Sequence, residues 1–215
     1  MPSSRKTRAA TLPESCATRL RILQALAWLV AGITLAGAQE SPERLRLLLD
    51  SALAQTGQRV IYDGSYRRIP YPDGDVAADR GACTDVVIRA YRSIGIDLQR
   101  LVHEDMRQHF SAYPAHWGLK RPDSNIDHRR VPNLQTFLAR QGAQLRVGND
   151  ADGYRAGDLV TWMLPGNLPH IGMVSGHRSS DGQRPLIVHN IGRGPQLEDM
   201  LFAYRITGQY RYVID

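Results

Sequence analysis

Cysteine is scarce in this chain: its 215 residues include two, Cys16 and Cys83. Glycine-rich phosphate loops, EF-hand loops, the HExxH zinc pattern and internal repeats are missing from the sequence, so it offers no motif for nucleotide, calcium or zinc chemistry. The longest apolar run, residues 22–36, is shorter than the roughly twenty residues that a membrane-spanning helix needs. Function must therefore be sought in single residues and their spacing.

The N-terminal segment has the pattern of an export signal. The apolar run over residues 22–36 is followed by Ala36-Gly37-Ala38, a small-x-small cleavage pattern. A basic region precedes it, formed by Arg5, Lys6, Arg8, Arg19 and Arg21. We predict a signal peptide over residues 1–38, with an uncleaved anchor as the alternative, and one domain over residues 39–215. The mature protein is then periplasmic or secreted, with no stable membrane insertion.

Removing the predicted signal changes the charge of the chain. Residues 1–38 hold five of the 27 Lys and Arg residues and one of the 21 Asp and Glu residues, so the remainder carries 22 minus 20, or +2. The sequence pI near 9.6 therefore belongs largely to the signal, and no nucleic-acid partner is expected. Cys83 becomes the only cysteine, which rules out an internal disulfide and marks the thiol as reactive or as an intermolecular partner.

Cys83 lies where a small-residue turn enters a predicted helix, in the stretch Gly81-Ala82-Cys83-Thr84-Asp85. A thiol in the first turn faces unpaired N–H groups and the positive end of the helix dipole, and both favour the nucleophilic thiolate. The alternative is a buried, inert cysteine, which is the commoner fate of a single one.

The order of predicted elements indicates an α+β domain. Helical patterns begin at Ser41-Pro42, Cys83, Asp97 and Pro132, and strand patterns then follow over residues 157–162, 169–176, 186–190 and 210–214. Helices first and strands joined by short connections later predict a nucleophile helix packed on a mainly antiparallel sheet.

Two histidines fall on adjacent predicted strands. A cysteine nucleophile needs a base within hydrogen-bond reach, and that base needs an orienting group on its other ring nitrogen. His170 at the start of one strand and His189 at the end of the next can fill these roles. His177 and His128 are weaker candidates, and Asn190 should point to the opposite face of a regular strand.

Residues in the long loops are candidates for substrate binding. Tyr62, Tyr66 and Tyr71 could wall a groove or pin a loop to the core. Trp117 and the Asp127-His128-Arg129-Arg130 cluster suit recognition of carboxylates, although the arginines could equally pair with nearby Asp residues. The acidic and imidazole side chains of residues 103–109 lack the spacing of metal ligands, so we expect no metal site and no cofactor.

The sequence resembles two related families. Gly81-Ala82-Cys83-Thr84-Asp85, Gly157-Asp158-Leu159-Val160 and His170-Ile171-Gly172-Met173-Val174 resemble the nucleophile helix and base-bearing strands of the NlpC-type, papain-like cell-wall cysteine peptidases. A more specific resemblance, over roughly residues 43–213, is to a bacterial family catalogued as domain of unknown function 1287. It is carried by Cys83-Thr84-Asp85 together with residues 102–106, 126–134 and 189–192. The resemblance implies a papain-like fold and the triad Cys83, His170 and His189.

One departure from the peptidase pattern bears on the substrate. Many NlpC-type peptidases have Asp-Cys-Ser-Gly at the nucleophile, whereas this chain has Ala82-Cys83-Thr84-Asp85. The resemblance links the acidic residue before the cysteine to the free amine of a stem peptide, and this residue is missing here. Asp85 is present instead, two positions after Cys83. Asp85 therefore joins Tyr71, Trp117, His128, Arg129 and Arg130 as a predicted substrate-binding residue.

These features predict an exported, monomeric cysteine hydrolase that cleaves an amide bond in peptidoglycan stem peptides. Cys83 would attack the carbonyl, its own backbone N–H would help to form an oxyanion hole, and His170 would act as base and then acid. The alternative is a non-catalytic module of the same fold that binds cell-wall fragments. A metal-dependent protein using His103 and His128 is a third possibility.

Overall fold

The computed structural model describes residues 42–212, which form twelve helices and strands and four short 3-10 turns. The α-helices are α1 (Pro42–Ala54), α2 (Cys83–Arg92), α3 (Leu98–His109) and α4 (Val131–Arg140). The strands are β1 (Ile61–Tyr62), β2 (Arg80–Gly81), β3 (Gln144–Leu145), β4 (Leu159–Leu164), β5 (Leu168–Arg178), β6 (Pro185–Asn190), β7 (Pro195–Glu198) and β8 (Arg205–Tyr210). The predicted signal peptide lies outside the described residues.

Six strands form one sheet in the order β3-β8-β4-β5-β6-β7, and every neighbouring pair is antiparallel. Strands β1 and β2 form a separate two-residue parallel pair beside the start of α2. The prediction of helices followed by a mainly antiparallel sheet is confirmed. A closing strand was predicted over residues 210–214, of which 213 and 214 lie outside the described residues; in the described part the closing strand is β8, which begins at Arg205 and ends at Tyr210.

Both faces of the sheet are covered by buried apolar side chains. The helix-facing cluster joins Val87 of α2 and Leu138 of α4 to Ile171 and Met173 of β5. The cluster on the opposite face is centred on Trp162, which is fully buried and donates its indole N–H to the carbonyl of Leu201 at 2.8 Å. Strand β5 is therefore covered on both sides, as expected for a central strand of a packed domain.

The predicted helix boundaries follow from local chemistry. The Asp97 side chain accepts the backbone N–H of Gln99 at 3.0 Å and caps α3, as its position before an apolar repeat predicts. Pro132 lies in the first turn of α4, where its missing N–H costs nothing. Gly142 follows α4 with a φ of 72°, the left-handed conformation that ends many helices. No helix in the described part of the chain is long and apolar enough to cross a membrane.

Candidate active site

Cys83 is the first residue of α2, and its sulfur is surrounded by hydrogen-bond donors. The backbone N–H groups of Ile171 and Thr84 and the hydroxyl of Tyr62 all bond to it. Pairing between β5 and β6 begins at Gly172, so Ile171 lies just outside this ladder. Its backbone N–H donates to the sulfur. We infer that the sulfur lies at the edge of β5, close to the plane of the sheet.

Burial decides the protonation state of this thiol. Cys83 is 4% exposed, and burial, assisted by the negative charge of Asp85, raises the pKa of its thiol to about 11. The N–H groups of Ile171 and Thr84 act in the opposite direction but do not compensate. The expectation that the helix start would favour a thiolate is therefore wrong for the resting protein, in which the thiol is protonated at neutral pH.

The two predicted histidines are in direct contact. His170 Nε2 lies 3.1 Å from His189 Nδ1, with the rings edge to face at an interplanar angle of 87°. His189 is paired with Gly172 across the β5–β6 ladder, which places it diagonally opposite His170 on the same face. His170 and His189 are buried. Burial lowers the pKa of both imidazoles, that of His170 to about 3, and His189 adds to the shift at His170.

A carboxylate that sequence reasoning missed completes this line of side chains. Glu198 Oε2 lies 3.0 Å from His189 Nε2, and its other oxygen lies 3.4 Å from Arg193. Strand β7, which carries Glu198, was not predicted. The alternation of Leu197 with Gln196 and Glu198 after Gly194-Pro195 was the available signal, but four residues give a weak strand pattern.

Asn190 adopts the orientation expected of it. Its side-chain Nδ2 donates to the carbonyl of Gly81 at 3.2 Å, at the entrance to α2, and not to either histidine. His189 and Asn190 therefore point to opposite faces of β6, as the alternation of a strand requires. Asn190 links the end of β6 to the turn before the thiol.

Gly172 makes room for the contact between the two histidines. A Cβ at this position would lie 2.7 Å from Ile187 Cγ2, 2.9 Å from the Val188 carbonyl and 3.0 Å from His189 Cβ. We expect Gly172→Ala to lower the free energy of unfolding by about 1–3 kcal/mol, as overpacking of a core does, and to displace His189. Urea titration measures the first effect. Gly176→Ala on the same strand is the control, because its Cβ meets nothing within 4 Å; equal stability of the two variants would contradict this account.

Asp85 and Arg129 bind each other instead of facing a substrate. Arg129 Nε and Nη2 donate to the two carboxylate oxygens of Asp85 at 2.8 and 2.9 Å. The exposed fractions of the Arg129 and Asp85 side chains are 2% and 3%. Arg129 also donates to the carbonyls of Asp63 and Ser65, which follow Tyr62 in the chain. The prediction that Asp85 and Arg129 contact the substrate is therefore corrected: the pair holds the Tyr62 loop against the start of α2.

Tyr62 is the member of the predicted tyrosine set that reaches the thiol. Its hydroxyl bonds to the Cys83 sulfur, and burial together with that neighbour raises the pKa of Tyr62 to about 12. The residue as a whole remains 43% exposed. Tyr71 is also exposed, and its ring contacts His103 at a centroid distance of 5.0 Å, so the structure does not bring Tyr71 into contact with the cysteine or the histidines.

The remaining predicted binding residues divide into a buried one and an exposed pair. His128 is 2% exposed and its Nδ1 has no hydrogen-bond partner, so direct contact with a substrate is excluded in this conformation. The guanidinium of Arg130 stacks on the Trp117 ring at 4.1 Å. Trp117 lines an open cleft of about 570 Å³ that also includes Pro169, the residue before His170. The described residues contain no group of three or more side chains that could hold a metal ion.

These features define an α+β domain with a buried thiol at a helix start, bonded to the backbone N–H of the residue after His170, and with a line of contacts that joins two histidines and a glutamate. Residues 49–212 match the family described as domain of unknown function (DUF1287), and the chain belongs to that family. A curated relative is the uncharacterized protein YijF of Escherichia coli (strain K12), which is 52% identical over 167 residues, covering 78% of this chain and 81% of the relative.

Among solved structures, the chain is similar to a protein from Staphylococcus aureus subsp. aureus Mu50 described as similar to a lipoprotein of the NLP/P60 family. The TM-score is 0.42 and the sequence identity 13%. The match covers 88% of this chain and 48% of that protein, so this chain spans about half of its length.

Proposed function

We propose that this protein is an exported cysteine hydrolase, a peptidase or amidase, that cleaves an amide bond in peptidoglycan stem peptides. The observation that carries the proposal is the placement of the Cys83 sulfur on the backbone N–H of Ile171, the residue after His170, whose imidazole begins the line of contacts through His189 to Glu198. A nucleophile, a base and an orienting group in this order are what amide hydrolysis by a thiol requires. The resemblance to NlpC-type cell-wall peptidases supports the mechanism and suggests the substrate class, and the N-terminal signal pattern supports export.

The resting protonation states favour general-base attack. Both the thiol and His170 are neutral at pH 7, because burial raises the pKa of the first and lowers that of the second. As the sulfur forms a bond to the substrate carbonyl carbon, the thiol proton passes to His170 Nδ1, the ring nitrogen that does not contact His189. The C–N bond then breaks, His170 gives this proton to the leaving amine, and an acyl-thioester remains on Cys83.

Water completes the cycle. His170 takes a proton from a water molecule that attacks the thioester carbonyl, and the returning sulfur regains a proton as the acid product leaves. The negative oxygen of each tetrahedral intermediate needs donors within about 3 Å. The backbone N–H of Cys83 and the hydroxyl of Tyr62, which already bonds to the sulfur, are the candidates for this role.

The cleft that reaches Pro169, the residue before His170, is the proposed place for the substrate. Trp117, Pro169 and Gln135 line it, and its volume of about 570 Å³ falls within the usual range of ligand sites. An exposed aromatic ring at its wall, with Trp117 42% exposed, can pack against a substrate at low entropic cost. This retains Trp117, with Arg130 stacked on it, as proposed substrate-binding residues, whereas Tyr71 has no contact that supports the same role.

The proposal is tested by incubating the full-length protein with muropeptides and analysing the products by mass spectrometry. We expect Cys83→Ala and His170→Ala each to lower the rate by about 10⁴-fold or more, as loss of a nucleophile or base does. His177→Ala is the matched control, because His177 is an exposed histidine on the same strand. Equal hydrolysis by the wild type and Cys83→Ala would overturn the assignment of Cys83.

One observation favours a second candidate function, a non-catalytic module that binds cell-wall fragments. The thiol is almost fully buried and is protonated at rest, which is also the condition of an inert cysteine. This alternative predicts that muropeptides bind equally to the wild type and Cys83→Ala, and that neither protein releases a product. Calorimetric titration beside the product analysis separates the two functions.

A further inference from the structure

We propose that Glu198 is a positioning residue that fixes the tautomer of His170 through His189, leaving His170 Nδ1 free to accept the thiol proton. Glu198 does not touch the thiol, and it would act across two imidazole rings. The role of His170 Nδ1 as the base rests on the proposed hydrolase function. The effect of Glu198 on the tautomers of the two histidines does not, so the two claims can be tested separately.

The order of protons follows from the carboxylate end of the line. An ionised carboxylate only accepts hydrogen bonds, so His189 Nε2, 3.0 Å from Glu198 Oε2, must carry a proton. In a neutral His189 ring, Nδ1 is then an acceptor. His170 Nε2, 3.1 Å from that Nδ1, must donate, which leaves the lone pair of His170 on Nδ1.

The opposite order of protons would disable the proposed base. If His189 carried its proton on Nδ1, its Nε2 lone pair would face the Glu198 carboxylate, and two acceptors at 3.0 Å repel each other. His170 Nε2 would then have to accept, and the proton of His170 would sit on Nδ1. A base in that form cannot take a proton from the thiol. Burial keeps both rings neutral by lowering the pKa of each, so the choice between the two orders depends on Glu198.

The position of Glu198 suits this role. It lies on β7, the strand next to β6 in the sheet, while its side chain is 34% exposed at the protein surface. Arg193 lies 3.4 Å from its second oxygen. Its neighbour Asp199 has a similar exposure of 36% but binds Arg184 and contacts neither histidine. Asp199 is therefore a matched control on the same segment.

The direct test is nitrogen-15 NMR of the imidazole rings in the full-length protein at pH 7.5 without substrate. The signals of His170 and His189 are assigned by their loss in His170→Ala and His189→Ala. In the wild type and in Asp199→Ala, we expect both rings to be protonated on Nε2. In Glu198→Ala, water replaces the carboxylate at His189 Nε2. Water can donate or accept a hydrogen bond, so it no longer fixes the order of protons, and we expect at least about a fifth of His170 to be protonated on Nδ1.

Two results would overturn the proposal: a wild-type His170 protonated on Nδ1, or a Glu198→Ala protein whose tautomers equal those of the wild type. Should Glu198→Ala fail to fold, Glu198→Leu removes the acceptor but keeps a side chain of similar size, and the same shift in tautomer is expected. Where the wild type hydrolyses muropeptides, Glu198→Ala should lower kcat about tenfold or more, a loss typical for a carboxylate that orients an active-site imidazole, with KM unchanged. Absence of hydrolysis would count against the proposed function and leave the NMR result standing.

Discussion

Replacing Arg129 by methionine should lower the free energy of unfolding by about 3–5 kcal/mol, the cost of leaving one member of a buried ion pair without its partner. Asp85 would keep a carboxylate that is only 3% exposed and lose two hydrogen bonds from the guanidinium. The carbonyls of Asp63 and Ser65 would lose their donor as well. Urea unfolding followed by circular dichroism measures the change, provided that the slope of the transition stays constant.

The matched control is Arg184→Met. Arg184 also binds a carboxylate through two nitrogens, with Asp199 at 2.9 and 2.7 Å, but its side chain is 33% exposed. Exposed pairs contribute about 0–1 kcal/mol, so this variant should remain close to the wild type. If Arg129→Met lowered the free energy of unfolding no more than Arg184→Met does, burial of the Asp85–Arg129 pair would not determine its contribution to stability.

Acid should destabilise the domain before its carboxylates titrate, because two buried histidines are held neutral. Burial lowers the pKa of His128 and of His170 to about 3, whereas both rings in the unfolded chain titrate near 6.5. Above pH 6.5 the folded and unfolded chains bind the same number of protons at these rings. Below it the unfolded chain takes up more, so stability falls as the pH drops from about 6.5 towards 3, by about 1.4 kcal/mol per pH unit for each histidine.

The measurement is the free energy of unfolding between pH 6.5 and 5, where carboxylates contribute least. We expect His128→Leu to reduce the slope by about one proton, or about 1.4 kcal/mol per pH unit, because the buried imidazole of His128, whose Nδ1 has no hydrogen-bond partner, is removed. His177→Leu, which replaces an exposed histidine, is the matched control variant. A slope in His128→Leu equal to that of the wild type would show that His128 is not kept neutral by the fold.

Sequence patterns predicted the parts of the structure that depend on neighbouring residues. The start of α2 at Cys83, the Asp97 cap and the strands carrying His170 and His189 follow from turn residues, caps and periodicity within a short window. The pairing of His170 with His189 could also be predicted, because consecutive strands joined by a short connection pair in antiparallel fashion.

The parts that sequence could not predict depend on contacts between distant residues or on burial. Asp85 and Arg129 are 44 positions apart, and nothing in either neighbourhood indicates that they meet. Glu198 lies on a strand of four residues, too short for a clear pattern. The thiol illustrates a different difficulty: its position at a helix start was predicted correctly, but the sign of its pKa shift depends on how deeply it is buried.

The groups that bury the Cys83 sulfur belong to segments that the ribosome synthesises at different times. Tyr62 precedes the cysteine, but Arg129, which anchors the Tyr62 loop, and Ile171, whose N–H bonds to the sulfur, follow it by 46 and 88 positions. A growing chain that has not yet reached Ile171 therefore carries Cys83 as an ordinary cysteine, with a pKa near 8.5. The unfinished or unfolded protein is the form most vulnerable to oxidation and alkylation, and completion of β5 protects the thiol.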